Sequence, residues 1–349
     1  MDKIDIKSLN IKELENLIEK LGDKKFRSKQ IFDWLHVKLV DQIDEMTNLS
    51  KNLRQQLREN CQVTSLKILR KQENKAKDTI KYLFELHDKR VIESVFMRYK
   101  HGNSVCISSQ VGCKMGCKFC ASTIGGLERN LTPGEMLDQI YQIQKDLGER
   151  VTNVVVMGTG EPLDNYDNLI RFINLLTDEN GLNISGRNVT VSTCGLVDKI
   201  YKLADEKLQI TLAISLHAPN DELRRQIMPI ANQYSIEEIL EGCKYYFTTT
   251  GRRITFEYSL IDGVNDQEEH AHELGKKIKA LNCHVNLIPV NPIKERKYKH
   301  STSNQITQFK NILEKYGINV TIRREMGADI DAACGQLRKR YVDQTTKQR

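Results

Sequence analysis

The run Cys113-Lys-Met-Gly-Cys117-Lys-Phe-Cys120 sets three thiols within eight residues, in a stretch that reads as a loop. Thiolates at this spacing hold soft metals or iron–sulfur clusters. A structural zinc would want a fourth Cys or His close by in sequence. None lies within the loop, since His101 precedes it and His217 is far downstream. On a [4Fe-4S] cluster, three protein ligands leave one iron free to chelate a small molecule and pass it an electron, which is redox chemistry rather than scaffolding. Zinc and unligated thiols are the competing readings of the same residues.

Such a loop needs a scaffold, and the chain announces one by alternation. From about residue 103, short β-rich runs alternate with longer helical ones. The strand candidates are SVCISS (104–109), VTNVVVM (151–157), RNVTVST (187–193), QITLAISL (209–216), RRITFEYSL (252–260), HVNLIPV (284–290) and NVTIRR (319–324). Between them lie helical runs such as TPGEMLDQIYQIQKDLG, with Thr132 as cap and Pro133 at the first helical position. This pattern predicts an α/β fold with a parallel sheet and helices outside it, either an open doubly wound sheet or a partial barrel. Ahead of it, IKELENLIEKLG and FRSKQIFDWLHVKLV repeat apolar residues at helical spacing, the second around the only tryptophan, Trp34. They predict a small helical module over residues 10–60. TIKYLFEL (79–86) and RVIESVFMRYK (90–100) flank the turn HDKR and predict a hairpin joining the two parts.

In a parallel β/α barrel the loops after the strands converge on one face. At or just past the strand ends stand the three loop cysteines, Gly158 to Pro162, Ser192, Ser215 to His217, Asn291 and, after the last strand, GADIDAACGQL with Cys334. Most of the unusual residues therefore share one face, although singly each has an ordinary reading. Gly158-Thr159-Gly160 lacks the third glycine of a dinucleotide fingerprint, Leu163 standing in its place. A lone His217 at an apolar strand end is more often structural, and Cys106 within a strand reads as a small buried hydrophobe. Cys334 differs: small residues surround it in Asp-Ile-Asp-Ala-Ala-Cys-Gly, which suits a loop that a substrate approaches closely and favours a nucleophile over a packing residue. Cys61, Cys243 and Cys283 read as packing residues.

The whole chain, 349 residues with 39% hydrophobic and 28% charged, has the composition of a folded, enzyme-sized protein. No apolar run approaches membrane-spanning length and no export signal is visible, so a cytoplasmic protein without a membrane partner is expected. Nine cysteines, an odd number, argue against a disulfide framework and for metal or catalytic use. The net charge of +7 is unevenly placed. Residues 61–100 carry 10 Lys+Arg against 5 Asp+Glu and residues 294–349 carry 13 against 6, whereas residues 101–293 carry 18 against 24. Basic flanks around an acidic middle suit docking of a polyanion, with plain surface solubility as the alternative.

CKMGCKFC matches the C-x3-C-x2-C signature of radical S-adenosylmethionine (SAM) enzymes, including the aromatic residue before the last cysteine. The segments VCISSQVGC, MGTGEPLDN, SLHAPNDELR, NLIPVNP and GADIDAACGQL, in this order, resemble the RlmN type of adenine-C2 RNA methyltransferase over roughly residues 85–340. The resemblance implies a partial (β/α)6 radical SAM barrel. Its domains would be a helical RNA-binding accessory domain over 1–75, a β-hairpin linker over 76–100, the core with its catalytic loop over 101–335 and a basic tail over 336–349.

It further implies that Cys113, Cys117 and Cys120 bind a [4Fe-4S] cluster and that SAM contacts Gly160, Glu161, Ser192, Ser215, Leu216, His217 and Asn291. The family's usual Met between the two glycines is Thr159 here, and Cys194 places another thiol near the pocket. Adenine C2 is an electron-poor carbon that will not attack a methylsulfonium directly, so a radical route is needed. By resemblance, Cys334 takes a methyl group from one SAM, and a second SAM cleaved by the cluster converts that S-methyl group into a carbon radical that adds to C2. Cys106 then resolves the adduct by forming a disulfide with Cys334. Glu93 is assigned the C2 proton, with an exposed strand carboxylate as its ordinary reading. The implied partners are 23S rRNA, tRNA and an electron donor such as flavodoxin, with a monomer as the expected state.

Two rivals remain. A Cfr-type enzyme would methylate adenine C8 by the same route, but Pro162, Pro219 and Pro289-Val290 before Asn291-Pro292 favour the C2 type. A zinc-stabilised RNA-binding protein without catalysis would be colourless and hold zinc.

Overall fold

The computed structural model describes residues 3–293, 296–323, 330, 337, 338 and 340–342. Its N-terminal part holds three amphipathic helices, α1 (Ile11–Lys20), α2 (Arg27–His36) and α3 (Lys51–Asn60). Asn10 and Glu13 start α1 with a reciprocal capping box, and Ser50 caps α3 through Leu53 N. Two short parallel strands, β1 (Ile4–Asp5) and β2 (Cys61–Gln62), tie the ends of this module together.

The rest is built on one ten-stranded sheet. Its first strands, β3 (Lys67–Glu73), β4 (Thr79–Glu85), β5 (Val91–Tyr99) and β6 (Gly102–Cys106), are antiparallel neighbours. A separate two-stranded hairpin follows, β7 (Gln110–Gly112) with β8 (Leu127–Asn130). From β6 onward the sheet is parallel through β9 (Asn153–Val156), β10 (Val189–Thr193), β11 (Thr211–Ser215), β12 (Ile254–Leu260), β13 (Cys283–Pro289) and β14 (Asn319–Ile322). The crossovers are α4 (Pro133–Leu147), α5 (Tyr166–Thr177), α6 (Val197–Asp205), the pair α7 (Asp221–Ile227) and α8 (Ile236–Thr250), α9 (Glu268–Ile278) and α10 (Ser303–Lys315).

Spatial order follows chain order from β6 to β14. A doubly wound sheet would reverse at a switch point, so the fold is the partial (β/α)6 barrel, with β14 as a further strand after the sixth unit. The expected hairpin is one part of a larger antiparallel extension. Residues 67–73, expected within the helical domain 1–75, instead form β3 and pair with β4. Nothing local marks that strand: Ile68 and Leu69 are adjacent and the pairing slips between Ile68 and Arg70, so its state comes from a partner elsewhere in the chain.

Alternation then sorts the side chains. Val189, Val191, Leu212, Ile214, Phe256, Tyr258, Val285 and Leu287 join the helix-side core. The opposite parity carries Glu93, Val95 and Met97 on β5, Cys106 on β6, Ser192 on β10, Ser215 on β11, Glu257 and Ser259 on β12 and Ile288 on β13. Two buried contacts fix the N-terminal module to α4: Lys7 Nζ to Asp138 Oδ1 at 2.5 Å and His36 Nδ1 with Tyr141 Oη at 2.7 Å.

Candidate active site

The three-cysteine loop leaves β7 and returns through β8, so a hairpin clamps its two ends. Gly112 makes that clamp possible: its φ is +80°, and a Cβ there would lie 2.0 Å from the Gly126 carbonyl oxygen. Cys113 N donates to the same oxygen at 3.0 Å. At the far end of the loop, Thr123 Oγ1 donates to the Cys117 and Cys120 carbonyls at 3.1 and 3.0 Å.

Cys113, Cys117 and Cys120 line one cavity of about 530 Å3 together with Cys106, Gly160, Glu161, Ser192, Ser215, His217 and Asn291. That size suits a ligand as large as SAM. Of the residues expected at the SAM pocket, only Leu216 does not line it: its side chain is buried in the core behind the wall. A single ion would need three convergent ligands, and among the described residues no His, Cys, Asp and Glu side chains converge in that way. All three cysteines face the one cavity, and a cluster offers each thiolate its own iron.

Burial pushes the Cys113 thiol up to about 12, and it pushes Cys117 up as well, helped by the neighbouring thiols. Alone, these groups stay protonated at neutral pH; bound cations convert them to thiolates outright. The donor set therefore fits an iron–sulfur cluster.

Beside the thiols, Gly160 takes φ +112°, and a Cβ there would lie 2.6 Å from Gln110 Cβ, so β7 and the Gly158–Pro162 turn press together. Gln110 Oε1 accepts from Glu161 N at 2.8 Å. The Glu161 carboxylate is buried and accepts from Leu163 N at 3.0 Å and Cys194 N at 2.8 Å. Burial raises its pKa and these hydrogen bonds oppose the rise. Ser192 and Ser215 meet hydroxyl to hydroxyl at 3.3 Å across adjacent strands.

His217 sits in the left-handed region at φ +57°, with Nδ1 accepting from Ser259 N at 2.9 Å. Its proton is thereby placed on Nε2. Burial, with Arg224 adding to it, lowers its pKa to about 3, so the ring is neutral, and Phe119 of the cysteine loop packs edge-on at 4.9 Å between centroids.

Cys106 is buried with Val95, Met97, Val155 and Met157 on the cavity side of the sheet. Glu93 shares that face but does not line the cavity, and it is not the exposed carboxylate of its ordinary reading. It is 2% exposed, with Oε1 3.0 Å from Lys81 Nζ and Oε2 accepting from Arg338 N at 3.1 Å. Cys334 lies outside the described residues. On either side of it in sequence, Ile330 lines the cavity and Leu337 packs on Leu83 and Val91. No disulfide joins any two of the described cysteines.

The sequence reading passed over two charged residues of this cavity, Glu257 and Arg323. Glu257 had a signal, a carboxylate in the middle of the apolar strand ITFEYSL; it accepts from Asn286 Nδ2 at 2.8 Å, and burial raises its pKa.

Comparison with known proteins bears on the same residues. Residues 4–63 match the model of the ribosomal RNA large subunit methyltransferase N-terminal domain, and residues 107–275 that of the radical SAM superfamily. Proteins called "Probable dual-specificity RNA methyltransferase RlmN" are similar throughout. The one from Lachnoclostridium phytofermentans is 61% identical over 99% of this chain and 98% of its own. That from Lachnospira eligens is 64% identical over 97% of each. Among solved structures, a radical SAM methyltransferase from Sphaerobacter thermophilus superposes with a TM-score of 0.92 at 43% identity, covering 95% of this chain and 98% of the other.

Proposed function

The chain belongs to the RlmN family of radical SAM RNA methyltransferases, and from that footing we propose that it methylates C2 of adenine in 23S rRNA and tRNA, working in the cytoplasm as a monomer. One observation carries the reading: three thiols, a neutral histidine, a buried carboxylate and Cys106 all open onto one cavity. Cys113, Cys117 and Cys120 would hold a [4Fe-4S] cluster. Once bound, and supplied by a donor such as flavodoxin, that group provides the low-potential electron for cleaving SAM.

The chain's own residues do the rest. Gly160, Glu161, Ser192, Ser215, Leu216, His217 and Asn291 form the SAM site, with Glu161 held by two backbone donors and His217 offering its Nε2 proton. The Leu216 backbone is engaged within the wall, its N–H on the Glu257 carbonyl and its carbonyl on Arg224 Nε, so Leu216 would act by holding His217 in place. The Cys334 thiolate takes the methyl group as its sulfur–carbon bond forms and the donor's breaks. Cys106 supplies the second thiol for a Cys106–Cys334 disulfide that frees the product. By its family position Glu93 would accept the C2 proton; here it is buried off the cavity lining, in an ion pair with Lys81.

Two measurements test this. Anaerobic protein should be brown and contain iron and sulfide; a colourless zinc protein would mean the non-catalytic alternative. Mass spectrometry of nucleosides from treated RNA should show 2-methyladenosine, and 8-methyladenosine as the sole product would overturn the choice of carbon.

A further inference from the structure

We infer that Arg224, which touches neither substrate nor cavity, is the built-in counter-charge of the iron–sulfur site and raises its reduction potential. The inference rests on the reading that Cys113, Cys117 and Cys120 hold such a cluster.

Three cationic side chains are wholly buried among the described residues: Lys7, Lys81 and Arg224. Two of them have a carboxylate, Lys7 with Asp138 and Lys81 with Glu93. Arg224 has none within ion-pairing distance among the described residues. Its guanidinium donates only to backbone carbonyls: Nη2 to Cys194 at 2.6 Å, Nε to Leu216 at 3.2 Å and Nη1 to Tyr234 at 3.5 Å. Asp221, one turn earlier on α7, accepts from Ile236 N instead. A buried, uncompensated guanidinium is a heavy cost to a fold, because arginine cannot shed its proton to escape. Among the described residues it has only carbonyl dipoles and the charge of Asp221, which acts from beyond ion-pairing distance, so an anion bound on the cavity side would add to its compensation.

The placement says where that charge is. Two of the three carbonyls belong to Cys194 and Leu216, the first lining the cavity and the second preceding His217. The helix that carries Arg224 is fastened to the cysteine loop, since Lys118 N donates to the Ile227 carbonyl at 2.9 Å. Met228, the next residue, lines the cavity and donates its N–H to the Arg224 carbonyl at 2.7 Å.

A cluster with three thiolates carries one net negative charge when oxidised and two when reduced, and buried Glu161 adds more negative character beside it. A fixed cation behind the wall stabilises the reduced form more than the oxidised one, and net charge is among the factors that set cluster potential. The electron, delivered by a low-potential one-electron donor, goes onto the cluster iron without an accompanying proton.

The test is a redox titration followed by electron paramagnetic resonance on SAM-free holoprotein, with iron and sulfide counted in each sample, comparing wild type, R224K and R224Q. With a full cluster, R224Q should show an approximately tenfold lower ratio of reduced to oxidised cluster at the wild-type midpoint, which is about 59 mV for one electron. R224K, which keeps the charge and loses much of the carbonyl hydrogen bonding, should stay within about twofold of wild type even if its melting temperature falls. An unchanged ratio in a fully loaded R224Q overturns the inference and leaves Arg224 a strap between loops. If R224Q fails to fold, R224M, which keeps the length of the side chain and removes its charge, takes its place: a tenfold fall supports the charge, and a wild-type ratio overturns it. Wild-type protein without iron and sulfide would instead remove the cluster reading itself.

Discussion

Acidification from pH 7 to pH 5 should loosen the N-terminal module, with His36 as a principal cause. This side chain is fully buried where α2 meets α4, with Nδ1 on the Tyr141 hydroxyl and Nε2 without a partner. Burial, with the nearby Lys7 charge adding to it, lowers its pKa from 6.5 to about 3. Between those values the unfolded chain binds a proton that the folded chain refuses. Stability is therefore intact above pH 6.5 and falls steadily as pH drops toward 3. For one such group the loss between pH 7 and pH 5 is about 2 kcal/mol. Trp34, the only tryptophan, lies two residues away on the same helix and reports the event, so urea unfolding followed by its fluorescence is the assay. In H36F the lost Tyr141 hydrogen bond gives a constant offset, while the pH-dependent fall shrinks by about 2 kcal/mol. His217 has a comparably lowered pKa, but it is present in both proteins and cancels in the comparison. Wild type and H36F losing stability in parallel would refute the reasoning.

The Lys7–Asp138 pair has no exposed surface on either partner, so Lys7→Met should leave a buried carboxylate without its counter-charge, held only by Leu66 N and Gln142, and cost about 3 kcal/mol in the same unfolding assay. Cys334→Ala should abolish RNA methylation, whereas Cys106→Ala should accumulate protein covalently joined to RNA, visible as a band shift on a denaturing gel; normal turnover in either removes that thiol from the scheme. In the basic segment 61–100, Lys71, Lys81, Lys89, Arg90 and Arg98 are engaged in ion pairs within the protein. Lys67, Arg70 and Lys77, three of the exposed basic residues that remain, should therefore carry part of the RNA contact this segment makes. Changing all three to Glu should weaken RNA binding and lower the slope of log affinity against log salt by about 2 to 3, and an unchanged slope would free this surface from any such role.

Much of the candidate site is legible in one dimension. The cysteine spacing lies within eight residues, and the period of two along each strand already puts Cys106, Ser192 and Ser215 on a face apart from Val105, Val191 and Ile214. The parallel sheet follows from alternating strand and helix runs, and chain order decides the rest once the winding is known. What local pattern left undetermined were pairings between distant segments. Strand β3 has no clear period of its own and exists through β4. Glu93 reads as an ordinary carboxylate until Lys81, twelve residues earlier, is found against it in the antiparallel register. Leu216 sits next to His217 in sequence, yet its side chain faces the core.

The sequence by itself determined the donor set, the side of each strand that faces the cavity and the order of the elements, because spacing and periodicity act between near neighbours. Only the tertiary structure decided which buried charges have partners, since desolvation and ion pairing depend on what the fold brings close: Asp138 to Lys7, Lys81 to Glu93, and for Arg224, among the described residues, carbonyls beside the cysteine-lined cavity.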